Sequence, residues 1–140
     1  MRLLLVLALA GCPANPPPAC ITVDLTCAPG YQPTFDNVYA NTIVPKCSMT
    51  SSCHSAAGHQ ANLDLAGDEA SAHAALMAMS SIDPSRARVV PGNAACSLMI
   101  VRTDSPGTDY QMPKGDALSK EESCALIQWV QAGAMMGSGQ

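Results

Sequence analysis

Seven cysteines in a chain of 140 residues restrict this fold more than any other feature. Export makes each of them a structural question, because an oxidising compartment leaves few thiols without a bridge, a metal or a covalent cofactor. The first residues indicate export. Arg2 supplies a positive region, Leu3 to Leu9 an unbroken apolar run, and Ala10 with Gly11 the small residues before a cut, the layout of a secretory signal peptide over residues 1–11. The run is about half of the ~20 apolar residues a spanning helix needs, and no second run follows, so the mature chain is expected to lack a transmembrane helix. An odd number of cysteines then requires one to have a separate fate.

The tetrapeptide LAGC at residues 9–12 resembles the lipobox of bacterial lipoproteins. The resemblance implies cleavage before Cys12, acylation of its thiol and of the new N-terminus, and a stable anchor, since each buried methylene contributes about 0.8 kcal/mol. The bland alternative is an ordinary signal peptide followed by a chance cysteine. Pro13 in place of Asp after the lipidated residue points to the outer membrane of the cell envelope. Removing Cys12 leaves an even set of six. Their connectivity is not readable from spacing; the preferred sorting pairs Cys20 with Cys27, pairs Cys96 with Cys124, and leaves Cys47 and Cys53 as a unit beside His54.

About 129 residues remain after cleavage, enough for one domain. Loss of Arg2 leaves six basic against eleven acidic residues, a net charge of -5, and the cations are scattered, which excludes a nucleic-acid surface. Only Tyr31, Phe35, Tyr39, Tyr110 and Trp129 are aromatic. So thin a core gains from disulfides or from a bulky cofactor. Residues 12–34, with PANPPP and APG, are expected to form a proline-stiffened extended tether, and residues 35–136 the domain, with 137–140 as a tail. Apolar spacing predicts helices over 35–44, closed by Pro45, over 68–79 with Ala70, Ala74 and Met77 inward, and over 95–101. Residues 48–60 and 104–116 are expected to be loops, and RVVPGN at 88–93 a turn. Ser119 three residues before Glu122 is a capping box, opening a last helix whose face carries Leu126, Trp129, Val130 and Gly133. No strand alternation is visible, so the class is mainly α.

The string CSMTSSCH at residues 47–54 carries the chemistry. A histidine directly after a cysteine, with a second cysteine upstream, is the arrangement by which two thiols hold a haem as thioethers and the histidine binds its iron. The usual spacing is C-x-x-C-H; here five residues intervene. A plain Cys47–Cys53 disulfide loop with His54 exposed beside it is the competing reading, and a zinc or copper site from Cys, His and Met is a third.

Downstream landmarks extend the pattern. Cys53-His54, LDL at 63–65, VVPG at 89–92, Ser97, Met112-Pro113, Leu118-Ser119 with Glu122, and WVQAGA at 129–134 occur in an order that resembles the cytochrome c-like domains of planctomycete and myxobacterial surface lipoproteins, over roughly residues 35–134. The resemblance implies a small helical domain with long loops and one covalent haem c. Cys47 and Cys53 would form the thioethers, with His54 the proximal and Met112 the distal iron ligand. It implies one-electron transfer and not catalysis, with a redox protein as partner, for which the acidic balance suggests a basic surface. His59 and His73 are expected to face solvent, although either could replace Met112. The rival is a cofactor-free surface lipoprotein domain stapled by disulfides, with a binding or structural role.

Overall fold

The computed structural model describes residues 15–137, so the expected signal peptide, Cys12 and residues 138–140 lie outside the described residues. Helices α1 (Phe35–Val38), α2 (Glu69–Met77), α3 (Leu98–Thr103) and α4 (Lys120–Gln131) are joined by long loops, with no strand among the described residues beyond an isolated bridge from Met79 to Ala87. The expected mainly helical class is therefore observed. No helix among the described residues is long and apolar enough to cross a membrane.

α1 does not stop at Pro45. It runs on as a π-helix, Tyr39–Ser48, with Pro45 inside it. Proline in an α-helix clashes with the carbonyl four residues back and lacks the N–H. The wider i→i+5 turn relieves both conflicts and carries the helix to Cys47. α2 begins where Asp68 Oδ1 accepts from Ser71 N at 2.8 Å. Its inward face is not the expected one: Ala72 and Leu76 are buried, whereas Ala70 and Ala74 are exposed. Leu76, the largest apolar side chain of the inward face, sets the rotation, because it gains more from burial than an alanine does.

α3 starts three residues later than its apolar pattern suggested. Ser97 is held out of helical geometry, donating to Asn93 O and accepting from Val90 N, both at 2.8 Å. The capping box of α4 is formed, with Glu122 N donating to Ser119 Oγ at 3.1 Å and Ser119 N to Glu122 Oε2 at 2.9 Å. Seven residues of α4 are buried, so it is the central rod of the domain and not a one-faced surface helix. Gly133, at φ +111°, lies beyond the end of α4 and supplies its stop.

Phe35, Tyr39, Trp129 and His73 form one aromatic cluster. Phe35 packs on Trp129 with ring centroids 5.1 Å apart, and His73 meets Phe35 edge-on at 4.8 Å. His73 also bonds Ala134 O through Nε2 at 2.8 Å. It is therefore a half-buried structural residue, which corrects the expectation of a solvent-facing side chain.

All four cysteines expected in bridges are bridged, but the partners are exchanged. Cys20 joins Cys96, and Cys27 joins Cys124. Extended chain carries Cys27 up to ~24 Å from Cys20, well beyond the roughly 4.4–6.8 Å between bridged Cα atoms, so a local bridge would require the segment to fold back. Instead residues 15–34 are strapped along the domain. Ile21 N donates to Ala95 O at 2.9 Å, Gln128 Nε2 to Cys27 O at 2.8 Å, and the Tyr31 hydroxyl pairs with that of Thr42. The segment is extended as expected, yet it does not stand off from the domain.

Each bridge closes a loop of 76 or 97 residues, and cross-links over such spans contribute about 2–4 kcal/mol. The paired substitution Cys27→Ser with Cys124→Ser is expected to lower the unfolding free energy by that amount in chemical denaturation; an unchanged midpoint would place the cross-link elsewhere.

Candidate functional site

The loops on either side of α2 and α3 enclose a cleft with about 860 Å³ of space between its atoms, part of it open to solvent. The volume that a water-sized group can enter is smaller, about 180 Å³, below the ~300–1,000 Å³ common for cofactor and small-molecule sites. Cys47, His54 and Met112 all line it, so residues up to 65 positions apart in sequence share one hollow. Leu63, Leu65, Leu76 and Leu98 make its walls largely apolar.

His54 is positioned from three sides. Its N–H donates to Cys47 O at 3.0 Å, its carbonyl accepts from Leu65 N at 2.8 Å, and its ring Nδ1 lies 3.0 Å from Gln60 O. A carbonyl oxygen can only accept, so Nδ1 carries the proton and Nε2 keeps its lone pair, the arrangement of a metal-ligating imidazole with its second nitrogen tied to the backbone. Burial pulls the His54 pKa below 6.5, against the opposing effect of the Gln60 hydrogen bond. The ring is neutral at pH 7.

Cys47 sits at the end of the π-helix with its thiol pushed up to about 12, by burial first and then by the neighbouring Cys53. Cys53 is also a free thiol, and no bridge joins the two. It is half-buried, accepts from Thr50 Oγ1 at 2.8 Å, and does not line the cleft. Of the two expected haem thiols, one faces the hollow and the other turns toward Thr50. His59 is exposed and, like His73, lies off the cleft walls.

Met112 is fixed by its surroundings. Its N–H donates to Arg102 O at 2.9 Å. Buried Gln111 accepts from Gly107 N at 2.6 Å and donates to Pro113 O at 3.0 Å and Gly115 O at 2.9 Å. That single amide ties the loop into a knot around Met112. Tyr110, two residues before Met112, lines an adjoining groove and not the cleft.

Four residues of the site escape a sequence reading. Arg88 is buried and donates to Ala75 O and Ala61 O, each at 3.2 Å. Arg102 donates to Tyr110 O at 3.3 Å. Both line the cleft, and the one ion pair among the described residues joins Lys46 to Glu122 elsewhere. Two guanidinium groups thus face an apolar hollow without a carboxylate partner. Thr103 Oγ1, also on the wall, is buried with no hydrogen-bond partner. Gly58 is the fourth: a Cβ there would lie 2.4 Å from Cys53 O and 2.6 Å from Ser51 O, both backbone atoms. A buried arginine is the one signal that composition might have flagged, since cations are so few.

Among the described residues no group of three or more His, Cys, Asp or Glu side chains gathers to hold a bare metal ion. No protein-family model, curated protein or solved structure matches the chain.

Two measurements test this geometry. A histidine whose pKa is lowered by folding contributes stability that is complete above 6.5 and is lost as pH falls through the folded value. Between pH 7.5 and 5 the cofactor-free protein should therefore lose stability more steeply than its His54→Gln variant, read from denaturant midpoints. Gly58→Ala should cost about 1–3 kcal/mol, the range for overpacking, because backbone and not a flexible side chain blocks the added methyl group. A neutral result would show that the Cys53–His54 turn is slack.

Proposed function

We propose that the protein is a membrane-anchored c-type haem protein that transfers single electrons, with lipid on Cys12 as the anchor. The observation that carries this reading is the meeting of Cys47, His54 and Met112 on the walls of one apolar cleft. His54 would be the proximal iron ligand through Nε2, and Met112 the distal one. When bound, the haem supplies a one-electron iron couple, and a thioether opposite an imidazole favours the reduced state.

The chemistry of the rest of the wall suits a flat apolar group with acidic substituents, which would have to widen the cleft or stand partly outside it. The leucines would exclude water from its faces, and Arg88 and Arg102 would offer charge to its carboxylates. Cys47 is placed to form a thioether. Such a bond forms by addition of a thiol S–H across a vinyl double bond, with the hydrogen passing to the adjacent carbon, and requires no oxidant. Cys53 would have to leave Thr50 and turn inward, and the five-residue stretch after Cys47 supplies the slack.

The position of Cys53 also favours a second reading, a cofactor-free domain stapled by disulfides in which the cleft takes another apolar acid. Expression in a host with a c-type maturation system separates the two. The denatured protein should give a pyridine haemochrome spectrum, with a band position that reports one thioether or two. In the folded oxidised protein, Met112→Ala should abolish the sulfur-to-iron band at the red end; an unchanged band would move the distal role to another residue. A colourless protein that retains both thiols of Cys47 and Cys53, or bonds them to each other, would remove the haem reading.

A further inference from the structure

A second hollow adjoins the cleft. Asn15, Pro16 and Pro17 form one side of a groove that includes Asp83, Tyr110 and Asp109, and Ser80, Ile82, Leu98 and Arg102 line both groove and cleft. The chain is immobilised there. Arg86 donates to the carbonyls of Pro17, Pro18 and Ala19 at 3.0, 2.8 and 3.1 Å, and the Cys20–Cys96 bridge fixes the next residue.

Two residues, Pro13 and Ala14, separate Cys12 from Asn15, and the resulting step of three spans at most ~11 Å of fully extended chain. Whatever is attached to Cys12 is therefore held on a short leash beside the shared rim of groove and cleft. That rim carries an apolar residue with nothing over it: Ile82 is 69% exposed, and Met79, three positions earlier, is 49% exposed. Arg86 and Arg102 are balanced by Asp83 and Asp109 around the groove, so charge neither drives nor opposes its approach to a lipid surface.

We propose that the mouth of the cleft is held against the bilayer, with Ile82 in the interfacial layer, so that the surface this face docks on is the membrane bearing the chain's own anchor. The inference rests on the reading of Cys12 as lipidated and is independent of haem. A free tether would let the domain take any orientation. The strap removes that freedom, and the leash raises the local concentration of bilayer at this one edge. A partner that exchanges electrons or ligand with the cleft would then be a membrane-embedded one, approached in the plane of the bilayer.

The test uses the full chain, acylated in a bacterial host and reconstituted into phosphatidylcholine vesicles with or without bromine on the acyl chains. Ile82→Trp is compared with Met135→Trp, a position equally exposed at 69% that lines neither hollow. Buried Trp129 serves as the internal reference in both. Bromine should quench the Ile82→Trp emission about twofold, as expected for an indole in the interfacial layer, and leave that of Met135→Trp nearly unchanged. A flexible Gly-Ser insertion of about twelve residues after Ala14 adds roughly 20 Å of reach and should restore the Ile82→Trp emission. In vesicle-bound protein, equal quenching at both positions, or none at either, overturns the proposal. So does quenching that survives the insertion, because it would report the affinity of the new indole and not the leash. Protein that fails to float with the vesicles overturns the lipidation reading itself, before any fluorescence is recorded.

Discussion

The two long-range disulfides hold the rest of this structure in place. A domain with five aromatic residues and an alanine-rich second helix buries little bulky side-chain surface, and its loops surround a hollow instead of filling it. Cys20–Cys96 and Cys27–Cys124 fasten one extended strap to the start of α3 and to the middle of α4. They act chiefly by restricting the unfolded chain, where closing a loop of such length removes more freedom than a small core could offset. α4 can then serve as the central rod, with the Phe35–Trp129 pair on one side and the strap across it.

The cleft depends on backbone hydrogen bonding more than on packing. His54 is held by Cys47 and Leu65 through its main chain and by Gln60 through its ring. Met112 is held by Arg102 and by the Gln111 amide. Arg88 ties Ala61 to Ala75 across the mouth. Polar ties of this kind let loops keep a defined shape around an apolar space, because each satisfies a donor or acceptor that would otherwise need water. The Thr103 hydroxyl is the exception, buried without a partner on a residue of the cleft wall.

Local signals were legible in the sequence. The capping box of α4, the RVVPGN turn and the loops at 48–60 and 104–116 all depend on neighbours in the chain, and all are present. The identities of the bridged cysteines were legible as well, whereas their partners were not, since pairing depends on where the strap runs in space. Pro45 reads as a helix stop unless the wider π turn is anticipated. The rotation of α2 was misread because alanines carry too little apolar surface to define a face. Of the site residues named from the motif order, Cys47, His54 and Met112 line one cleft and Cys53 does not. Gly58, Gln111 and the carbonyl partners of Arg88 are contacts between loops, which no periodicity encodes.

The buried thiol of Cys47 has a consequence in time. With its pKa near 12, roughly one molecule in 10⁵ carries the thiolate at neutral pH. The thiolate is the species that attacks disulfides and is consumed by oxidants. A thiol held in the protonated form ages slowly, even among oxidants. Concealment thus sets a clock on Cys47, slowing its chemistry for as long as the thiol stays buried.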